Sequence, residues 1–216
     1  MIRAASEFFI GLDLGQRQDH TAIAVVERVD IAEYRFDWMR YVQQEDSRTV
    51  RHDVRWLERM RLGTPYGRVV ERVKELGAHP ALAGKCSVVV DATGVGGPVV
   101  ERLMEADLPC EVVPVTITGG GEASRRARGW SVPKADLMRG LQVMVQEKEL
   151  RIARDVPLGH ELRRELLQIR AEAGAWGRMR YGASGSGQHD DLVLAVALAC
   201  WRSRRPAVGE MGRRLL

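Results

Sequence analysis

Ten consecutive residues near the C-terminus, 192–201 (LVLAVALACW), carry no charged or hydrogen-bonding aliphatic side chain. A membrane span needs about 20 such residues, so this run is about half as long as a crossing requires. A helix that is apolar all round must instead be buried on every side. It needs a sheet beneath it and further elements over it, which points to a layered α/β domain. The chain is long enough to provide them: at 216 residues, a single domain buries about 70% of the surface its unfolded form exposes.

The strands of that sheet are readable upstream. Residues 7–14 (EFFIGLDL) form a continuous apolar run broken at Gly15, the pattern of a central strand. Residues 21–29 (TAIAVVERV) and 34–43 (YRFDWMRYVQ) follow, so the opening predicts three consecutive antiparallel strands. The spacing of apolar residues in DVRWLERM and GRVVERVKELG predicts helix over 47–77, in two pieces separated by Gly63, Thr64 and Pro65. A short buried strand, 86–90 (CSVVV), ends in Asp91, and the glycines of DATGVGG lead into a helix from Pro98 to about residue 106.

The next strand is 111–118 (EVVPVTIT), and the strand, helix, strand order implies a parallel crossover. The sheet is therefore expected to be mixed, three antiparallel strands followed by parallel ones, with helices on its faces. The stretch GGGEASRRARGW reads as a mobile basic loop, and Ser131 is placed to cap a helix over VPKADLMRGLQVMVQEKE. A strand at 150–153, a helix at 158–170 and a hairpin near 176–181 precede the apolar helix. One domain, 1–205, with a basic and frayed tail at 206–216, accounts for the whole pattern.

Charge and cysteine content narrow the classes of partner. Of 33 Lys and Arg against 29 Asp and Glu, only four are lysines, which leaves 29 arginines in a chain of net charge +4. Arginine's planar fork suits phosphates, although a GC-rich genome would produce the same bias. The three cysteines, Cys86, Cys110 and Cys200, are far apart and form no CxxC pair, so they are expected to be reduced core residues. The apolar stretch at 8–12 is too short for a signal sequence and is interrupted by Asp13. A cytoplasmic protein with no membrane association is expected.

Acids stand where buried elements meet loops: Asp13 after the first strand, Asp91 after the first parallel strand, and Asp190 and Asp191 before the apolar helix. Each has a structural explanation. Asp13 could form the turn before Gly15, Asp91 could bond loop amides, and Asp190 could cap the helix with Asp191 in its first turn. The set has a different meaning, because ligand sites in α/β sheets lie beyond the carboxyl ends of the strands. Carboxylates crowded there repel one another unless a cation balances them. Oxygen-only donors suit Mg²⁺ or Mn²⁺, and two such ions about 4 Å apart activate water and stabilise the leaving oxygen of a phosphodiester.

With those residues in view, GLDLGQRQDHTAIAVVE, VVVDATGVGGPVVERL, VPKADLMRGLQVMVQEKELRI and HDDLVLAVALA resemble successive blocks of the nuclease domain of phage terminase large subunits. The resemblance runs from about residue 8 to residue 201 and implies a ribonuclease H-like fold. It implies a metal-dependent endonuclease that cuts concatemeric viral double-stranded DNA during genome packaging. Two ions, Mg²⁺ or Mn²⁺, would be held by Asp13, Asp91 and the acids of the HDD block; the sequence leaves open which of the adjacent acids faces the metals, with Asp191 preferred as the shared ligand and Asp190 able to serve the second ion. The implied partners are an ATPase motor, a small terminase subunit and a portal, in the host cytoplasm. No G-x-x-x-x-G-K-[S/T] motif occurs in these residues, so the chain is expected to be an excised nuclease domain, a split gene product or a stand-alone relative.

Further candidates surround these acids. Asp19 and His20 lie on the loop after the first strand, and His189 precedes the acid pair. Arg125, Arg126 and Arg128 after the glycine run, with Lys134, are the candidates for DNA backbone contacts, which give affinity without sequence specificity. A RuvC-type Holliday-junction resolvase would share the fold and the acids. A phosphate-binding ATPase lobe of the actin and sugar-kinase group would share the G-x-D-x-G turn, but needs a second lobe. A non-catalytic DNA-binding module with purely structural acids is the remaining class.

Overall fold

The computed structural model describes residues 1–15, 19–94, 96–173, 179–183 and 190–205, of which 170–173 and 179–183 are described by backbone alone. Three long strands open the chain: β1 (Ile2–Asp13), β2 (Ala22–Asp37) and β3 (Val42–Arg59). They pair antiparallel, β1 with β2 and β2 with β3. After α1 (Tyr66–Gly77), β4 (Cys86–Asp91) returns beside β1 in parallel. Then α2 (Gly96–Glu105) crosses over to β5 (Glu111–Thr118), parallel to β4. A small hairpin, β6 (Ser124–Arg126) and β7 (Gly129–Pro133), completes that edge and runs directly into α3 (Lys134–Gln146).

The chain then adds β8 (Leu150–Ile152) beside β3, α4 (Gly159–Gln168), a separate hairpin of β9 (Ile169–Ala173) and β10 (Met179–Ala183), and α5 (Asp191–Ser203). The main sheet has eight strands in the order β6-β7-β5-β4-β1-β2-β3-β8. The expected mixed α/β sheet, three antiparallel strands and then parallel ones, is what forms.

Alternation along the central strands sends side chains to two cores. Ile10, Leu12, Val88 and Val90 meet Val69 and Val73 of α1 and Val99 and Leu103 of α2. Phe9, Ala24, Val89 and Val115 face α3, α4 and α5. All thirteen residues of α5 are buried, as the apolar run from Leu192 to Trp201 at its centre requires. Among the described residues no helix is long and apolar enough to cross a membrane.

The joint between α5 and the sheet is closer than side-chain packing allows. A Cβ on Gly11 of β1 would lie 1.8 Å from the Ala195 carbonyl oxygen and 3.1 Å from the Ala199 nitrogen. The absence of a side chain at Gly11 therefore lets the helix rest on the strand backbone.

Three local expectations are corrected. Residues 47–59 are strand, not helix, and residues 34–37 close β2 rather than opening a third strand. The cause is a β-bulge: Val25 pairs with Trp56 but Val26 with Val54, which leaves Arg55 without a ladder partner. Val54 and Leu57 thus share a face at a spacing of three, imitating a helical period. Ser131 is no helix cap, since β7 runs through it to Pro133. Finally, Cys86 and Cys110 form a disulfide with Cα atoms 5.0 Å apart. Each precedes a residue of the Ser87–Glu111 pair in adjacent strands, so the register brings them together. Cys200 alone is free, and it is buried.

Candidate metal centre

Parallel pairing of β1 with β4 matches Phe8 to Cys86 and, four steps on, Leu12 to Val90. The next residues are Asp13 and Asp91, so both carboxylates leave adjacent strands at the same level. Both also lie on the α5 side, in phase with Phe9 and Val89. Asp190 and Asp191 arrive at the same end because α5 begins there. A cleft of about 220 Å³ is lined by Asp13, Leu14, Gly15, Asp19, Asp190, Asp191 and Leu194. Gly96, the first residue of α2, has no room for a Cβ, which would stand 2.5 Å from the Asp91 carbonyl oxygen.

Crowding shows in the acidities. Burial holds the Asp13 carboxyl well above the usual range, and repulsion from Asp91, Asp191 and Asp190 adds to it, against the opposing pull of Lys134. Asp91 is also raised by burial, an effect moderated by hydrogen bonding from Thr93 and by the charge of Lys134. Its Oδ1 accepts the Thr93 backbone N–H at 2.8 Å, the loop-amide bond that a strand-end aspartate commonly makes.

The acid pair at α5 is held by cations of the chain itself. Asp191, only 5% exposed, stands 3.1 Å from Nε of Arg59, at the end of β3. The other prong of Arg59 donates to Glu165 of α4, whose second oxygen accepts the Val193 N–H at 3.3 Å. Burial raises the Glu165 carboxyl, with Arg59 pulling it back. Asp190 occupies the N-cap position of α5 but makes no side-chain cap. Its Oδ2 accepts from Nζ of Lys134 at 2.8 Å.

The structure therefore gathers Asp13, Asp91, Asp190, Asp191 and Lys134, with Asp19 on the rim of the cleft. His20 lies behind them, its Nδ1 2.8 Å from the Met60 carbonyl oxygen. His189 is outside the described residues. Arg125, Arg126 and Arg128 are exposed on the β6–β7 hairpin. The ladder Asp91–Val115–Trp130–Arg125 places Arg125 level with the acids but three strand spacings away, about 14 Å.

Arg59 and Glu165 escaped sequence reading. A signal for Glu165 exists, because it falls three residues after the fully buried Leu162, on the apolar stripe of its helix.

The donor set consists of hard carboxylate oxygens whose charges converge on the buried Asp13, and it fits a hard divalent cation. Among the described residues no three His, Cys, Asp or Glu side chains are already grouped closely enough to hold one. Asp190 and Asp191 are instead drawn to Lys134 and Arg59.

A mixed sheet in this order, with acids at the ends of its two central strands and at the head of the helix laid across them, is the ribonuclease H-like fold. Within that class the chain is similar to the large terminase nuclease of thermophilic phage G20c with bound magnesium. Identity is 24%, the TM-score is 0.61, and the match covers 93% of this chain and 83% of that one. A second structure of the G20c large terminase nuclease matches at 22% identity and a TM-score of 0.58, covering 90% of this chain and 81% of that one. No protein-family model matches the sequence, and no curated protein matches it. At these identities the likeness is one of fold, and the resemblance seen in the sequence is met at that level.

Proposed function

We propose that the chain is a divalent-metal-dependent endodeoxyribonuclease of the terminase nuclease type, which cuts concatemeric viral DNA by two-metal phosphodiester hydrolysis. The observation that carries this reading is the meeting of Asp13, Asp190 and Asp191 at one cleft, with Asp91 acting on Asp13 from the adjacent strand, in a fold shared with a nuclease solved with magnesium. Asp13, between Asp91 and the α5 pair, is placed to share ions, and Asp91 with Asp191 or Asp190 would complete their shells. Mg²⁺ or Mn²⁺ bound there would supply an activated water and charge for the leaving oxygen.

The chain's own contribution is electrostatic and positional. Strand register and helix position bring the carboxylates to one end of the sheet before any ligand arrives, so that metal binding would require side-chain turns of Asp190 and Asp191 away from Lys134 and Arg59 rather than movement of the backbone. Lys134 offers a cation to a phosphate at the cleft, while Arg125, Arg126 and Arg128 extend the contact along the backbone without reading bases. Residues 1–205 are the proposed nuclease domain with 206–216 as a basic tail. The proposed setting is the host cytoplasm, alongside an ATPase motor, a small terminase subunit and a portal.

The test is plasmid cleavage with Mg²⁺ or Mn²⁺. Wild-type protein nicks or cuts the plasmid, and Asp91→Ala reduces cleavage by a factor of 10³ or more, about 4 kcal/mol of transition-state stabilisation. Intact plasmid across metals and salt concentrations refutes the reading for this chain. Selective cutting of four-way junctions over linear duplex reassigns it to a junction resolvase.

A further inference from the structure

Lys134 is the first residue of α3, where a positive charge opposes the helix dipole. Local helix energetics therefore do not account for a lysine there. Its surroundings do. Pro133 ends β7 level with Thr118 of β5, beyond the level of Asp91, which pairs with Val115. The lysine is thereby delivered to the acid-bearing end of the sheet, with its Nζ 2.8 Å from Oδ2 of Asp190. The same charge acts on Asp13 and on Asp91, so one ammonium serves carboxylates from β1, β4 and the head of α5. The pair is partly open to solvent, with the side chains of Lys134 and Asp190 33% and 27% exposed, so the contact can exchange without unfolding anything. Arg59, by contrast, is held by two buried carboxylates at once.

We propose that Lys134 is the resident counter-ion of the acidic cleft: a divalent cation displaces its ammonium from Asp190, and the released lysine then grips a DNA phosphate. The proposal rests on the metal-dependent reading above and assigns the order of events within it. In the empty cleft Lys134 neutralises acid and competes with metal. In the loaded cleft Asp190 faces the metal, and the ammonium is free for the incoming phosphodiester. Metal loading and backbone binding are coupled through one side chain, with no change of fold.

The experiment compares wild type, Lys134→Gln and Lys134→Arg, each first shown to melt cooperatively. Mn²⁺ affinity is measured calorimetrically, and duplex DNA binding is measured with and without Ca²⁺ as a metal expected to bind without supporting cleavage. Lys134→Gln is expected to bind Mn²⁺ about two- to fivefold more tightly, in line with losing a partly exposed charge competitor. Its DNA affinity falls only when Ca²⁺ is present, with the salt slope reduced by about 1. Lys134→Arg keeps the charge and follows wild type in both assays. Unchanged or weaker Mn²⁺ binding by Lys134→Gln overturns the proposal alone, as does a DNA defect of equal size with and without Ca²⁺. A wild-type protein that takes up no Mn²⁺ overturns the metal reading and this proposal with it.

Discussion

The two ends of α5 carry opposite charge and reach balance in different ways. At its N-terminal end Asp190 and Asp191 meet Asp13 and Asp91, with Glu165 behind, and only Lys134 and Arg59 among the charges described there oppose them. At its C-terminal end Arg202 pairs with Glu111 at 3.1 Å. Arg205 lies over the Trp201 ring at 4.1 Å, Trp201 meets Trp130 edge-on at 5.5 Å, and Arg125 covers Trp130 at 5.9 Å. Both ends suit the helix dipole. The C-terminal end, however, is satisfied by rings, carbonyls and one acid of the chain, whereas the N-terminal end keeps an excess of carboxylate that protonation or an added cation relieves. The proposed function belongs to the end that folding leaves in deficit.

The largest expected effect breaks the joint between the ends. Gly11→Val puts a branched side chain where even a Cβ meets the Ala195 carbonyl at 1.8 Å. A loss of more than about 4 kcal/mol is expected, read as failure to show a cooperative urea transition. Next, Glu165→Ala removes the acceptor of the Val193 N–H and one of the two acids that hold Arg59. Stability should fall by about 1–3 kcal/mol and cleavage with it, because Asp191 loses the anchor of its partner.

Acid sharpens the contrast. His52, buried beside Arg28 and Arg204 near the C-terminal end, has its pKa lowered by burial to about 4 from 6.5. Its folded pKa lies below the unfolded one, so its contribution is intact above pH 6.5 and is lost as the pH falls towards 4. Asp13 and Asp91 are raised in the fold by burial, Asp13 also by neighbouring acids, so the cost of holding their charges is relieved as the pH falls through their elevated values towards the ordinary carboxylate range. Urea titrations at pH 7 and 4.5 should therefore show His52→Leu losing less stability on acidification than wild type. Asp13→Asn should raise the metal-free melting temperature at pH 7 by about 2–4 °C, the shift expected from about 1 kcal/mol, and should lose the gain on acidification that Asp13 confers. The smallest effect is Arg205→Ala, which removes a partly exposed cation–ring contact and a hydrogen bond to the Trp201 carbonyl and should change stability by about 0.5–1 kcal/mol. A larger drop would mean that the C-terminal end is as strained as the other.

Much of this was legible in the sequence because each signal was local. A strand that ends in an acid, a crossover helix and an apolar run of helical length all announce themselves within a dozen positions. Asp13, Asp91, Asp190 and Asp191 were found by their place at element ends. The structure adds the register that aligns the first two. What escaped depended on partners distant in sequence. The bulge at Arg55 gave β3 a false helical period, and the Cys86–Cys110 pairing followed from strand adjacency across 24 residues. Arg59 and Glu165 have meaning only together, 106 positions apart. Lys134 was read as a phosphate contact, and its bond to Asp190 appears only when β7 is seen to run straight into α3.

The parallel register of β1 and β4 also acts as a gauge. Strands in a sheet stand about 4.8 Å apart, and that pitch is fixed by hydrogen bonds common to every sequence. Asp13 and Asp91, one step beyond the Leu12–Val90 pair, inherit the pitch. The interval between the two backbones that carry these charges is thus written in the main chain, and the residues of both cores can be exchanged for others of similar volume while that interval stays the same.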